Sequence, residues 1–598
     1  MNRRTFTQRM LAVAATLRFL PLEAWSAPQE KGTTGRRRRF VVSCPTGSMD
    51  EFRRLADFAA EVGATHVSIG DLPKARWQWF DPMDPYPNWS MRHASFFKIA
   101  PPEELQPWIP ASYAQRCQDI LGQRGEVLRK RNLQGSFDGA EPMWLPEAVY
   151  AAHPDWRGPR CQYPPRARHN YYAPCIDRPE VLALYRRAVA RLCQLVPIEE
   201  FFFLTNDSGA GICWHPRLYP GANGPEFCRN RSMDDRLDGW LKAVAAGARD
   251  SGYAAEVTLG GRWLTPSGKA PQRMDVGLGN YFYGSNFYPV VGVPQPCRFA
   301  EQWQSTLSRP EADLALNLEP SSPWMFALAR ELKKHAAPGP LARYQVLTRV
   351  AQQAAGSSGG PHLVRAWECL TRASEALGPL QRGGPVLLLG SISQRWLVRP
   401  LVPFPLELTL EEKNYYRRFQ FQAWSEEEAA DLMDLQGTHM IQGSASAWLA
   451  TRIFDSATAE LTEGRVALKD ALAAGSEDGQ ADLAELDVRL QALLLTIRNA
   501  SLTVQYQEFL DQMRHTPPDP PDPTNRRLNL ARGMKIVEDD MDNTRQLIAL
   551  LKTTKVPVFA AAPTAAEEDV FLFTPDLVPQ LEKKIEIEDR HLPENFRV

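Results

Sequence analysis

Four acidic residues of this 598-residue chain stand just beyond short apolar runs. Asp71 follows Thr65-His66-Val67-Ser68-Ile69-Gly70, and Glu141 comes shortly after Leu133-Gln134-Gly135-Ser136-Phe137. Asp207 follows Glu200-Phe201-Phe202-Phe203-Leu204-Thr205, and Glu319 closes the run Leu314 to Leu318. A carboxyl group at the end of a buried strand is carried by a rigid element. Two such groups facing one another suit cleavage of a glycosidic bond. One protonates the departing oxygen; the other activates water, attacks the sugar carbon or steadies its positive charge. Asp207 is the expected general acid, Glu141 its partner and Glu319 the reserve.

Substrate contacts are expected from Asp71, from the aromatic faces of Trp144, Trp214 and Tyr219, and from Tyr281 and Tyr283 after a further strand. Arg157, Arg160, Asn206 and Asn223 would bind hydroxyls or a carboxylate. Each assignment has a plainer reading. Asn206-Asp207-Ser208-Gly209 is also good turn sequence. Glu141 would serve as well in an ion pair with Arg157 or Arg160, Asp71 as the cap of a loop, and Glu368 on a solvated helix face. No HExxH, P-loop or GxSxG pattern occurs, and neither a metal nor a cofactor is expected.

The elements that carry these residues repeat one pattern. Short, nearly continuous apolar runs alternate with helical stretches, the pattern of parallel βα units. Candidate strands begin at Phe40, Thr65, Leu133, Glu200, Ala254, Met274, Leu314 and Val386. Eight such strands close a (β/α)8 barrel, whose chemistry sits on the loops after the strands. Beyond Pro405 the period changes. Leu483, Leu486, Leu490, Leu493, Leu494 and Ile497 mark one helix face, and a second amphipathic helix is expected over 525–551. The expected organisation is a signal segment at 1–27, a basic linker at 28–39, a barrel at 40–405 and a mainly helical domain at 406–598. A Pro-rich linker interrupts the last at 516–524.

Composition agrees with two parts. All 16 tryptophans lie between Trp25 and Trp448, and there are 49 prolines. The 69 basic and 70 acidic residues nearly cancel, which removes the global positive field of a general nucleic-acid binder. Asn2-Arg3-Arg4-Thr5-Phe6 before a short apolar run suggests twin-arginine export to the periplasm or medium, against a plain basic leader. No run is long enough to span a membrane. The nine cysteines are unevenly spaced and are expected mostly as buried thiols, with Cys213–Cys228 as the alternative disulfide.

Three loops carry a family resemblance. They are Asp138-Gly139-Ala140-Glu141-Pro142, the stretch His153 to Arg160, and Thr205-Asn206-Asp207-Ser208-Gly209 continuing through Leu218 to Pro225. In these the chain resembles bacterial exported proteins built on the glycoside-hydrolase barrel. Its plan over about 40–450 is similar to that of the α-glucuronidases and, more distantly, the β-N-acetylhexosaminidases. The resemblance implies exo-acting hydrolysis of a terminal sugar. Asn206-Asp207 stands where the hexosaminidases have Asp-Glu, so substrate-assisted cleavage of an N-acetyl sugar is not expected, and uronic-acid specificity is not carried over. The rival reading is a catalytically silent carbohydrate-binding protein on the same barrel. A polysaccharide lyase is the third.

Overall fold

The computed structural model describes residues 38–74, 90–91, 93–161, 169–205, 211–212, 227–228, 231–260, 273–277, 287–307, 309–310, 312–320, 322–335, 339–382, 396–402, 408–417, 444–515, 523–568 and 572–595. Nine strands are assigned among them: β1 (Phe40–Ser43), β2 (His66–Ser68), β3 (Gln134–Ala140), β4 (Arg157–Arg160), β5 (Tyr172–Pro174), β6 (Ile198–Leu204), β7 (Glu256–Gly260), β8 (Arg273–Gly277) and β9 (Asp313–Asn317). β4 and β5 form a small antiparallel pair. The other seven make one sheet in the order β7-β6-β3-β2-β1-β9-β8, with every neighbour parallel. Its two edge strands are consecutive in the chain, which is the order around a barrel wall.

One side chain shows how far this sheet curls. Arg39, just before β1, bonds Asp313 of β9 through Nε and a terminal nitrogen at 3.0 and 2.8 Å. The same guanidinium lies 3.9 Å from Glu200 of β6 and 3.1 Å from Glu256 of β7. In a flat sheet β7 would stand four strand spacings from β1, about 19 Å away. The strands therefore wrap around Arg39. Among the described residues the wall has seven strands where eight were expected. β9 pairs directly with β1, Phe40 opposite Leu314 and Ser43 opposite Asn317, so no strand stands between them. The expected strand at 386–389 lies outside the described residues.

Strand alternation gives the sheet two unlike faces. Phe137, Phe201 and Phe203 face the helices, where Phe96 and Trp240 meet them at centroid distances of 5.3–5.5 Å. The other face is polar. Ser136 donates to Glu200 at 2.8 Å and Ser68 to Asp138 at 2.8 Å.

Helix α1 (Met49–Val62) illustrates the outer layer. Ser48 and Glu51 form a capping box at its start, and Phe52, Leu55, Ala56, Phe58, Ala59 and Val62 make its buried stripe. From Pro340 the chain is mainly helical. Helix α2 (Pro340–Arg382) pairs with α3 (Ser444–Ala474) through Arg365–Glu463 and Arg372–Glu460. Helices α4 (Gln480–His515), α5 (Pro523–Thr553) and α6 (Leu577–Asn595) complete the layer. Leu483, Leu486, Leu490, Leu493 and Ile497 are wholly buried on α4, as their spacing predicts. A single apolar cluster joins these helices to the sheet layer, from Val42 to Leu581. No helix among the described residues is long and apolar enough to cross a membrane.

Candidate functional site

The C-terminal ends of the strands gather acids from separate parts of the chain. Asp71, beyond β2, accepts the Thr46 amide at 2.7 Å, which ties the loop after β1 to the loop after β2. Glu319, beyond β9, accepts the Gly292 amide at 2.7 Å, from the loop after β8. Both are half-buried. Cys44, at the end of β1, lies between their fields. Burial pushes its thiol far above the ordinary range, and Glu319, Asp71 and Glu51 push it further. A thiol so raised is no nucleophile.

Asp138 belongs to this group and was missed by sequence reasoning. That reading ended the strand at Phe137, whereas β3 continues to Ala140. Asp138 thus lies inside the strand, on the polar face with Ser136, half-buried and held by Ser68. Aspartate is disfavoured in strands, so a period-two reading through Ser136, Asp138 and Ala140 would have raised it.

Glu141 is placed differently from expectation. Its side chain is completely buried. One oxygen accepts the Phe96 amide at 2.7 Å; the other accepts the Met143 amide at 3.0 Å and the Tyr185 hydroxyl at 3.2 Å. Burial pushes its carboxyl up to about 7, against the amides of Phe96 and Met143 that favour its charged form. Arg157, one of the two expected ion-pair partners, instead pairs with Glu147 and lies near the rings of Tyr150 and Tyr172. Glu141 is therefore a clasp between the segment around Phe96 and the end of β3. Two further features close this clasp. Ala140 N donates to Ala94 O at 3.2 Å, and a Cβ on Gly139 would come within 2.8 Å of that same oxygen.

Trp144 is also inside rather than on the mouth. It is 2% exposed, its indole donates to Ser90 at 3.0 Å, and the Lys98 ammonium lies 5.4 Å from its ring centroid. Such a ring offers no open face to a sugar. Lys98 is itself buried, without a hydrogen-bond acceptor for its ammonium among the described residues. Burial pulls it down to about 7, with nearby Glu141 opposing. Arg160 sits half-buried on β4. Asn206, Asp207, Trp214, Tyr219, Asn223, Tyr281 and Tyr283 lie outside the described residues, as does the leader.

The foot of the loop after β6 rests on this clasped region. Gly211 N donates to Pro142 O at 2.9 Å, and a Cβ on Gly211 would meet the Cys161 backbone at 3.2 Å. Among the described residues, Cys369, Glu460 and Glu463 have ligand-like spacing for a metal. The two acids are already engaged by Arg372 and Arg365 at 2.8 and 2.6 Å, which argues for an ion-pair seam. Eight cysteines are described and only Cys297 among them is not buried; Cys213, half of the alternative disulfide, lies outside the described residues.

No protein-family model and no curated protein matches the chain. Solved structures similar to it are glycoside hydrolases. A GH138 enzyme targeting pectin rhamnogalacturonan II is 10% identical, with 93% of this chain and 84% of that one covered and a TM-score of 0.49. A GH20 catalytic module of the pneumococcal exo-β-D-N-acetylglucosaminidase StrH is 14% identical over 53% of this chain and 92% of that one, at a TM-score of 0.28. The GH36 α-galactosidase AgaA from Geobacillus stearothermophilus is 13% identical over 50% and 42%, at 0.29. At these TM-scores no property of those enzymes passes to this chain.

Proposed function

We propose that the chain is an exported glycoside hydrolase that removes a terminal sugar from a glycan, with Asp207 as general acid and Glu319 as the second carboxylate. The observation that carries this reading is the gathering of Asp71, Asp138 and Glu319 at the C-terminal end of a curled parallel sheet. In barrels of parallel strands, reacting groups stand on that rim. The base of the sheet supports the choice of pair. Glu200 of β6 and Asp313 of β9 approach one guanidinium there, at 3.9 and 2.8 Å, although β3, β2 and β1 separate their strands. The other ends of β6 and β9 thus leave from different sides of the rim, which is what two carboxylates need to flank one bond. Glu141, clasped on both oxygens, drops out as partner.

The test is to incubate the full chain with a glycan panel and weigh the products. The reading expects a released sugar, one water added across the cut bond, and loss of release in both Asp207→Asn and Glu319→Gln. Saturable binding without product would mark a silent binding protein. A product absorbing in the ultraviolet as an unsaturated sugar would mark a lyase.

A further inference from the structure

We propose that Arg489, on helix α4 of the helical layer, is a positioning residue for Glu319, acting through the amide of Gly292. The proposal rests on the hydrolase reading and adds the helical layer to its site. Gly292 N donates to Glu319 Oε1 at 2.7 Å. Gly292 holds φ at 72°, in the left-handed region that favours glycine. Its open side is filled by arginine: a Cβ at this position would lie 2.7 Å from Arg489 Nε and 2.8 Å from Cζ.

Arg489 is 5% exposed. Its guanidinium is held by Glu485 at 2.9 Å, and its Nε points at the Pro557 carbonyl at 3.5 Å. The segment beginning there also grips the loop before Gly292. Val291 N donates to Val558 O at 2.9 Å, and Ala560 N donates to Pro289 O at 2.9 Å. The same C-terminal segment reaches the loop after β2, where Lys74 Nζ donates to Glu567 O at 3.0 Å. The amide on Glu319 is thus fixed by its own left-handed turn, by a paired segment and by a buried arginine. An amide on one carboxylate oxygen favours the charged form and sets the plane of the group. Displacing that amide turns the carboxylate away from the reacting carbon while leaving the substrate's other contacts in place.

A double-mutant cycle separates this role from simple packing. Arg489→Met is expected to lower kcat ~10–100-fold with KM changed less than ~3-fold. In a Glu319→Gln background the same change should lower the residual rate no further. Gly292→Ala, which keeps Arg489 but drives a Cβ against its guanidinium and so displaces the amide, should reproduce the kcat loss and decides the matter if Arg489→Met folds poorly. Multiplicative losses in the double mutant, or a normal kcat per folded molecule in Arg489→Met and Gly292→Ala, would overturn the proposal alone. A wild-type chain that releases no sugar overturns the hydrolase reading first and takes this role with it.

Discussion

The two ends of the sheet hold carboxylates in opposite ways. At the N-terminal end, Asp313 and Glu200, 2% and 0% exposed, gather around the single guanidinium of Arg39. At the C-terminal end, Asp71, Asp138 and Glu319 remain half-buried, and each accepts from a neutral donor: an amide, a hydroxyl and another amide. A guanidinium neutralises what it binds and takes up its lone pairs. A neutral amide or hydroxyl orients a carboxylate without cancelling its charge. The first arrangement fastens the base of the curled sheet; the second aims acids at its rim.

The largest effect expected is at the base. Arg39→Met removes the guanidinium that two buried carboxylates approach and should cost about 3–5 kcal/mol of stability, read as a lower denaturant midpoint. A loss below about 1 kcal/mol would remove the contrast between the ends. At the rim, Asp138→Asn should slow hydrolysis ~10–100-fold with an almost unchanged melting temperature. A full rate in a folded variant would return Asp138 to a structural role.

Lys98 sharpens the comparison through pH. The folded chain holds its proton only up to about 7, the unfolded chain up to about 10.5. The unfolded state binds more protons between those values, so stability contributed by this site rises with pH across the window. Wild type should therefore gain stability relative to Lys98→Met from about pH 7 to 10, with a flat difference below 7. Parallel curves across the window would contradict a buried, unbonded ammonium. The smallest effect is expected for Arg157→Ala. Its ion pair with Glu147 is on the surface and should be worth under about 1 kcal/mol, with no change in KM.

Local patterns were legible and long-range partners were not. The apolar runs at Phe40, Glu200 and Leu314 announce strands, and the leucine spacing of α4 announces its buried face. Arg39 closes a run of four arginines that reads as a basic linker, because nothing nearby in sequence names Asp313, Glu200 or Glu256 as its partners. Glu141 reads as a presented acid because it precedes proline; its closure depends on Phe96 and Tyr185, more than 40 residues away on either side. The tryptophan-free tail reads as a mainly helical domain apart from the candidate site. Its contacts with Gly292, the 289–291 loop and Lys74 bring it against the rim, through pairings no periodicity encodes. Asp138 was hidden by a strand end placed three residues early.

The most direct test of the division between the two ends is the Glu319→Gln chain, assayed on the glycan panel with its melting temperature measured in parallel. The account predicts a melting temperature within a few degrees of wild type and product release reduced ~100-fold or more. Release at the wild-type rate from a folded Glu319→Gln chain would contradict it.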